Sequence, residues 1–533
     1  MSDSVGPRWA VRAVVGISLF LAVHVPGVAA IPPPSDVNDG EKAAALQTSA
    51  CNSGAPKEPE KSGSWYAPRS TYLNNLTTAL SPSSKGVYGF LFNESTTPEG
   101  SYGVYNWCNM PHVRKTEYVV PPADKHRKLV YVELVHRHHK RTPYAANGFP
   151  HEKYPWHCDD ALIHMYAKPS NELTSPGDSH YEPTYDNGNP FLKAALGWHG
   201  TCQFPQMTSG GLADAWQHGA DLYEVYHGLL GFLPAMNSAA WRELVAFRIT
   251  NNPITSQTAT MVLGGMASAA GIPVASMPDT PLLLEADGYD SLEPQYSCSE
   301  SDTLFDAITD SSAGGNSSAW ADHLKELAPL FAKLDAASGV DPANPLGFHA
   351  SVDHYYDNLS ARQCHGLPPV AGITQDMADT VFRVGQWEYS RMYRDDARSL
   401  PASVGSFGVW AAQLTGHLRT ARDMSEKREK NAVRYRHNVA HDGSVSRLLS
   451  ILQVDEMVWP GMGSEVVVEM WQKEGTSSYD VRILFGGRVL RSSHPELGLL
   501  DMVPLNVLLK YIDGFVGADA SLLPAKCNGT ETL

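Results

Sequence analysis

Charge is scarce in this chain. Only 18% of its 533 residues are Asp, Glu, Lys or Arg, against 43% hydrophobic. That balance excludes intrinsic disorder, collagen and a long coiled coil, and the length predicts one large or two closely connected domains. The charges lean acidic: Lys and Arg number 41, Asp and Glu 57, for a net charge of −16. A field of that sign argues against general nucleic-acid binding, so an anionic ligand needs a local basic pocket. The cysteines include no C-x-x-C pair, which removes a zinc ribbon. Ser464 sits in Gly461-Met462-Gly463-Ser464-Glu465 without the second glycine of a G-x-S-x-G elbow, which disfavours a serine hydrolase. Gly264-Gly265 lacks the lysine and hydroxyl of a phosphate loop. No repeat of fixed period is present. After residue 30 no apolar run approaches the roughly 20 residues of a bilayer span, and the polar stretch Leu522 to Leu533 carries no lipid-anchor signal. No stable membrane insertion is expected.

Arg8 and Arg12 precede the apolar run Ala13 to Val25. Pro26-Gly27 breaks it, and Val28-Ala29-Ala30 offers a small-residue cleavage site. This is the three-part pattern of a secretory signal over residues 1–30. Five glycosylation sequons, at Asn75, Asn93, Asn316, Asn358 and Asn528, agree with export. So do seven cysteines (51, 108, 158, 202, 298, 364 and 527), enough for three disulfides and one thiol over. Proximity alone suggests Cys158 with Cys202 and Cys298 with Cys364. The expected product is a secreted, disulfide-bonded glycoprotein.

Residues 31–127 read as a flexible lead-in and peripheral segment. Leu129 to Val135 is β-branched and apolar, a buried strand that opens an α/β core over 128–274. Residues 144–209, rich in Pro, Gly, Asn, His and Tyr, read as an irregular cap within it; their aromatic side chains fit ordinary packing better than substrate stacking. Gly211 to Phe232 has helical spacing, Leu244 to Ile249 reads as a strand, and Ser256 to Met266 as a helix. Trp320 to Leu334, Asp376 to Tyr393 and Phe407 to Met424 are amphipathic helices of an α-rich inserted domain, 275–430. Strand patterns return at Val466 to Trp471 and Tyr479 to Leu484, in a second core part and tail, 431–533. Strand–helix alternation interrupted by a helical insert is an α/β fold.

The chemistry concentrates at His136-Arg137-His138-His139-Lys140-Arg141-Thr142-Pro143, directly after the first core strand. Ligands of open α/β sheets bind at the carboxyl ends of strands. Guanidinium forks match phosphate oxygens, and an imidazole between two of them can aim a neutral nitrogen at phosphorus. The second constellation is His441-Asp442-Gly443, where a loop enters a helix. A neighbouring His and Asp supply a contact for an anion and a proton for a leaving group, although for the dipeptide alone a helix-capping Asp is the better explanation.

Arg137 to Pro143 resembles the R-H-G-x-R-x-P signature of the histidine acid phosphatases, a branch of the phosphoglycerate-mutase-like superfamily. Further motifs follow in that family's order. Gly211-Leu212-Ala213-Asp214 is a weak form of its G-x-L-T helix start. Thr250 with Gln257-Thr258-Ala259 is similar to the superfamily's S/T-x-x-x-R-A-x-Q-T-A element. His441-Asp442 is similar to its H-D dipeptide, and Glu465 to Gln472 to its late F-E-L-W strand. The resemblance runs over roughly residues 128–510 and is thin between motifs. It implies a three-layer core with a mostly parallel sheet, and a phosphomonoesterase that needs no metal or organic cofactor. It further implies His138 as nucleophile, Arg137 and Arg141 as phosphate ligands, His441 as a third positive contact, and Asp442 as proton donor. The implied partner is a small phosphate monoester.

The chain departs from the pattern at two places. His139 replaces the signature glycine, and Ile254 stands where the family has its third phosphate-binding arginine. Losing one charged hydrogen bond of roughly 1.5–3 kcal/mol weakens binding or turnover unless another cation substitutes; Arg248, His139 and Lys140 are the candidates. Ile254 also motivates a second reading, a secreted relative that binds an anion without turnover. A third is a metallohydrolase: on an extended chain His136 and His138 share a face and with Asp442 present a zinc-ligand set. Arg137, Lys140 and Arg141 around it repel a dication.

Overall fold

The computed structural model describes residues 64–69, 75–81, 105–121, 126–151, 154–161, 163–167, 177–181, 199–273, 276–311, 318–343, 347–427 and 432–532. The secretory signal, most of the lead-in, Cys51, Asn93 and Asn316 lie outside these. Among the described residues there are twelve strands: β1 Arg127–Arg137, β2 Pro155–Trp156, β3 Ile163–Ala167, β4 Gly177–Tyr181, β5 His199–Gly200, β6 Val245–Ile249, β7 Leu282–Leu283, β8 Tyr435–Ala440, β9 Glu465–Lys473, β10 Tyr479–Phe485, β11 Arg488–Val489 and β12 Val503–Pro504. Eight form the central sheet in the order β11-β10-β9-β1-β8-β6-β7, with β12 beside β10. Strands β1, β8, β6 and β7 run parallel, and β9 is antiparallel to β1 and to β10. The fold is α/β, as the alternation predicts. In the cap region, β2 pairs with β5 and β3 with β4.

Period-2 alternation assigns β1 two faces. Val132 and Leu134 pack with Leu222 and Val262 from the helices Ser209–Tyr223 and Pro253–Ala269. Tyr131 and Val135 face the other core, filled by helices Ala319–Ser338, Asp353–Cys364, Gln375–Ser390, Ser399–Lys427 and Asp442–Ile451. The sheet is thus the middle of three layers. Because β1 is buried on both sides, it reads as a near-continuous apolar run.

Of the helices anticipated from spacing, Pro253–Ala269, Ala319–Ser338 and Ser399–Lys427 run longer than expected, while Ser209–Tyr223 and Gln375–Ser390 end earlier as α-helix. Caps fix two of the starts. Ser318 and Thr374 accept hydrogen bonds from Ala321 N and Met377 N, and Gly339 closes the first of these helices in the left-handed region at φ 77°. The disulfides correct one expected pairing. Cys158 joins Cys202, but Cys298 joins Cys527 and Cys364 joins Cys108. Nearness along the chain misled because the last helix, Leu523–Cys527, returns beside Ser299–Ile308, where Ser299 Oγ donates to Cys527 O. The sequon at Asn358 stands in surroundings unlike those of an exposed acceptor. It lies inside a helix, and its buried Nδ2 donates to Asn147 O at 3.0 Å. Among the described residues, no helix is long and apolar enough to cross a membrane.

Candidate functional site

The parallel pair β1 and β8 ends in step, Arg137 opposite Ala440. His138 N extends the ladder to Ala440 O at 3.1 Å. His138 and His441 therefore leave neighbouring strands at the same sheet edge, with ring centroids 5.5 Å apart. The edge is where an open α/β sheet takes its ligand.

Arg137, His138, Arg141, His441 and Asp442 come together there, and none is more than 6% exposed. His138 Nδ1 lies 2.9 Å from His139 O. A carbonyl only accepts, so Nδ1 carries the ring proton and Nε2 keeps its lone pair. Burial, then Arg141, Arg137 and His441, push the His138 pKa well below its ordinary value. Arg137 Nη2 stands 3.2 Å from Asp442 Oδ2, its guanidinium lies over Trp107, and Nη1 donates to Pro460 O. Arg141 Nη1 donates to Asp357 Oδ1 at 2.9 Å, with its guanidinium over Tyr144. Asp442 Oδ2 accepts from Trp459 Nε1 at 2.7 Å and from Tyr389 OH at 3.1 Å. Burial raises the Asp442 pKa, but Arg137, the Trp459 hydrogen bond, His441 and Arg141 outweigh it and hold the carboxyl below its usual range.

Two donors of the site, Arg137 Nε and Arg141 Nε, are buried without a hydrogen-bond partner, and His441 Nδ1 is buried without one as well. Each unmet buried donor costs about 1–3 kcal/mol, so an anion that accepts from them would recover that cost. His441 Nε2 contacts Thr250 Oγ1 at 3.0 Å and Glu293 Oε1 at 3.4 Å. Burial, offset by Asp442 and reinforced by Arg137 and Arg141, brings the His441 pKa down to about 4. Without a ligand it is a neutral ring, where the resemblance implied a cation.

The three candidates for a replacement cation are drawn elsewhere. Arg248 Nη2 binds Asp290 and Glu285, each at 2.8 Å, and Nη1 donates to Gln413. Lys140 Nζ pairs with Asp214 at 2.8 Å. His139 packs against His136 and His218 on the opposite face of β1. Ile254 itself is fully buried, in the first turn of Pro253–Ala269. The zinc set His136, His138 and Asp442 is corrected as well. Strand β1 ends at Arg137, so alternation stops before His138, and His136 turns to His437 at 2.9 Å.

Sequence reasoning missed four groups. Asp357 accepts from Arg141, Tyr144 N and Asn147 and so holds the Arg137–Pro143 loop. Asp353, one helical turn earlier, is buried with neither carboxylate oxygen hydrogen-bonded. Burial, then Asp357, Asp442 and Glu388, raise its pKa well above the ordinary value. Glu293 is raised to about 7 by burial, Asp290 and Asp287. Tyr389 stacks on Trp459 at 3.9 Å behind Asp442. The i, i+4 spacing of Asp353 and Asp357 was a usable signal, since it puts both on one helix face; the others sit in no motif.

No family model matches the chain. Counting factor 60 of Dictyostelium discoideum is 24% identical over 371 residues, 68% of this chain and 80% of that protein. Among solved structures, the Hafnia alvei phytase in complex with tartrate aligns with 75% of this chain and 99% of its own at TM-score 0.47 and 12% identity. The Citrobacter braakii phytase aligns with 74% and 99% at TM-score 0.45 and 15% identity. The Bifidobacterium longum multiple inositol polyphosphate phosphatase complexed with inositol hexasulfate aligns with 72% and 92% at 0.38 and 11%.

Proposed function

We propose that this chain hydrolyses a phosphate monoester through a phosphohistidine at His138, as a secreted or secretory-pathway enzyme. One observation carries the reading. The only unprotonated nitrogen of His138, Nε2, belongs to a ring whose other nitrogen is tied to a carbonyl, and Arg137, Arg141 and His441 surround that ring. Three disulfides support the oxidising compartment.

The residues act in a simple order. Arg137 and Arg141 hold the phosphate oxygens and spread the charge that develops on them. His441 donates through Nδ1 once the bound phosphate dianion draws a second proton onto its ring. His138 Nε2 forms a bond to phosphorus as the bond to the ester oxygen breaks, and that oxygen takes a proton from Asp442. Asp442 is ionised beside an unliganded Arg137. A phosphate dianion on Arg137 offsets the positive field and lets Asp442 carry the proton, so activity belongs on the acid side. Asp442 then takes a proton from water, which adds to phosphorus and displaces His138, releasing inorganic phosphate. Wild-type protein is expected to turn over p-nitrophenyl phosphate near pH 5, with His138→Ala at least about 10³-fold slower. An acid-labile labelled phosphoenzyme should be trapped on wild type alone.

A second reading, anion binding without turnover, is favoured by Ile254 and by Glu293 standing 3.4 Å from His441, which leave the site a cation short and a carboxylate richer. Hydrolysis no faster than in His138→Ala, with inorganic phosphate still bound, selects it.

A further inference from the structure

On the opposite face of β1, five histidines gather with one glutamate. His136 on β1 lies opposite Glu465 on β9 and Val439 on β8, and His437 lies two residues before Val439 on the same face. His218 enters from the helix Ser209–Tyr223, and His139 from the loop after β1. His112 stacks on His218 with centroids 3.9 Å apart. All are buried; His136, His139, His218, His437 and Glu465 have no exposed surface.

Three ring nitrogens converge. His139 Nε2 is 3.2 Å from His136 Nε2 and 3.3 Å from His218 Nδ1, and the three atoms lie within 4.8 Å of one another. Hydrogen bonding does not account for both contacts. An imidazole nitrogen carries either one proton or one lone pair. If His139 Nε2 is protonated, its single hydrogen faces two acceptors. If it is not, two donors compete for one lone pair. Either way a buried nitrogen is poorly served, in surroundings where that is costly.

We propose that His136, His139 and His218 form a structural site for a divalent transition metal, zinc foremost. Nitrogens bound at about 2.0–2.1 Å in tetrahedral geometry stand roughly 3.3 Å apart, which is the separation of both contacts. One ion satisfies all three lone pairs together. The outer shell is in place. With Nε2 of His136 on the metal, its Nδ1 proton goes to His437 Nε2 at 2.9 Å. With Nδ1 of His218 on the metal, its Nε2 proton goes to Glu465 Oε2 at 3.0 Å. Imidazoles so oriented by a second acceptor are what metal sites use. Glu465, and Asp221 at 2.7 Å from His112 Nε2, supply negative charge. The adjacent Lys140 is offset by Asp214. Three imidazoles without thiolate select late first-row ions over calcium or magnesium. Complete burial assigns the ion to folding, bound as the β1, β8 and β9 strands close over it.

The test is elemental analysis of the full secreted chain, produced in zinc-supplemented medium and dialysed exhaustively. About one zinc per chain is expected, falling below about a tenth in His218→Ala and staying near one in His138→Ala. Zinc-edge X-ray absorption of wild type should show three imidazole nitrogens, a reading that stands if His218→Ala fails to fold. Metal-free wild type overturns the site. So does zinc retained in full by His218→Ala, or a spectrum showing sulfur ligands. None of these readouts involves phosphate hydrolysis, so failure of the phosphatase reading leaves this one intact.

Discussion

His138 and His139 are consecutive, yet they serve two differently built regions. On one side of the β1 terminus an imidazole stands among guanidinium groups and buried donors lack acceptors. On the other, imidazoles face one another, carboxylates accept from His112 and His218, and the adjacent cation, Lys140, is paired with Asp214. Both regions are buried and both push histidine pKa values down, burial being the largest cause in each. The neighbours then decide what a neutral imidazole does. Beside arginines its lone pair is free for an electrophile that arrives with an anion. Beside other imidazoles it is a ligand waiting for a cation.

The sharpest way to break that comparison is a pair of truncations. His138→Ala should remove turnover and barely shift the melting temperature, because the ring makes one hydrogen bond to its neighbour's backbone. His218→Ala leaves a cavity and strips the buried Glu465 Oε2 of its histidine partner, leaving only Val113 N on Oε1, which should cost about 3–5 kcal/mol. Calorimetry alongside p-nitrophenyl phosphate kinetics measures both. If the two variants lose activity and stability in the same proportion, the regions are one unit and the division is wrong.

The proposed proton donor comes next in size. Asp442→Asn keeps the shape that Trp459 and Tyr389 contact but removes the acid. An alkyl phosphate needs its leaving oxygen protonated, so its kcat should fall by about 10²–10⁴. p-Nitrophenolate is a stable leaving anion, and its loss should be under about tenfold. Equal losses on both substrates would mean that Asp442 only positions Arg137.

Much of the arginine side was legible because it is local. Arg137, His138 and Arg141 lie on one loop, and His441-Asp442 opens one helix at the end of the parallel neighbour strand. A motif records such an arrangement. The histidine cluster was illegible because its members come from β1, the following loop, the helix Ser209–Tyr223, β8 and the segment before β1. Only the sheet register brings them together. Arg248 failed as a substitute cation for a related reason. Its place on β6 was read correctly, but Asp290 and Glu285 from a later loop reach it first. Cys298 likewise found Cys527, 229 residues away. Spacing predicts which face a residue takes, not what the rest of the chain delivers to that face.

Glu293 should give a smaller effect that sharpens the electrostatic contrast. Its pKa is raised to about 7 by burial first, then by Asp290 and Asp287. A raised carboxyl favours the folded state below its unfolded value, and that advantage is lost as pH climbs toward 7. The same ionisation places a negative charge beside His441. Glu293→Gln should therefore flatten the decline in melting temperature between about pH 4.5 and 7. It should also raise kcat/KM near pH 7.5 several-fold, with little change near pH 5. An unchanged alkaline limb would remove Glu293 from the field felt by the substrate.

The smallest effect concerns three identical signals in unlike surroundings. Asn75, Asn358 and Asn528 each open a sequon, but the fold treats them differently. Asn75 and Asn528 are exposed. Asn358 is 2% exposed in the helix that carries Asp353 and Asp357, and its Nδ2 is committed to Asn147 O. A glycan on that nitrogen would push the helix off the loop that Asp357 holds against Arg141. Peptide mapping after enzymatic deglycosylation in heavy-oxygen water should mark Asn75 and Asn528 and leave Asn358 unmarked. Full occupancy at Asn358 would mean that this helix packs differently, and with it the anchor of Arg141 and the arginine side of the comparison would fall. The same logic that separates His138 from His139 applies here: a side chain's chemistry is set by what the fold places within hydrogen-bonding reach of it.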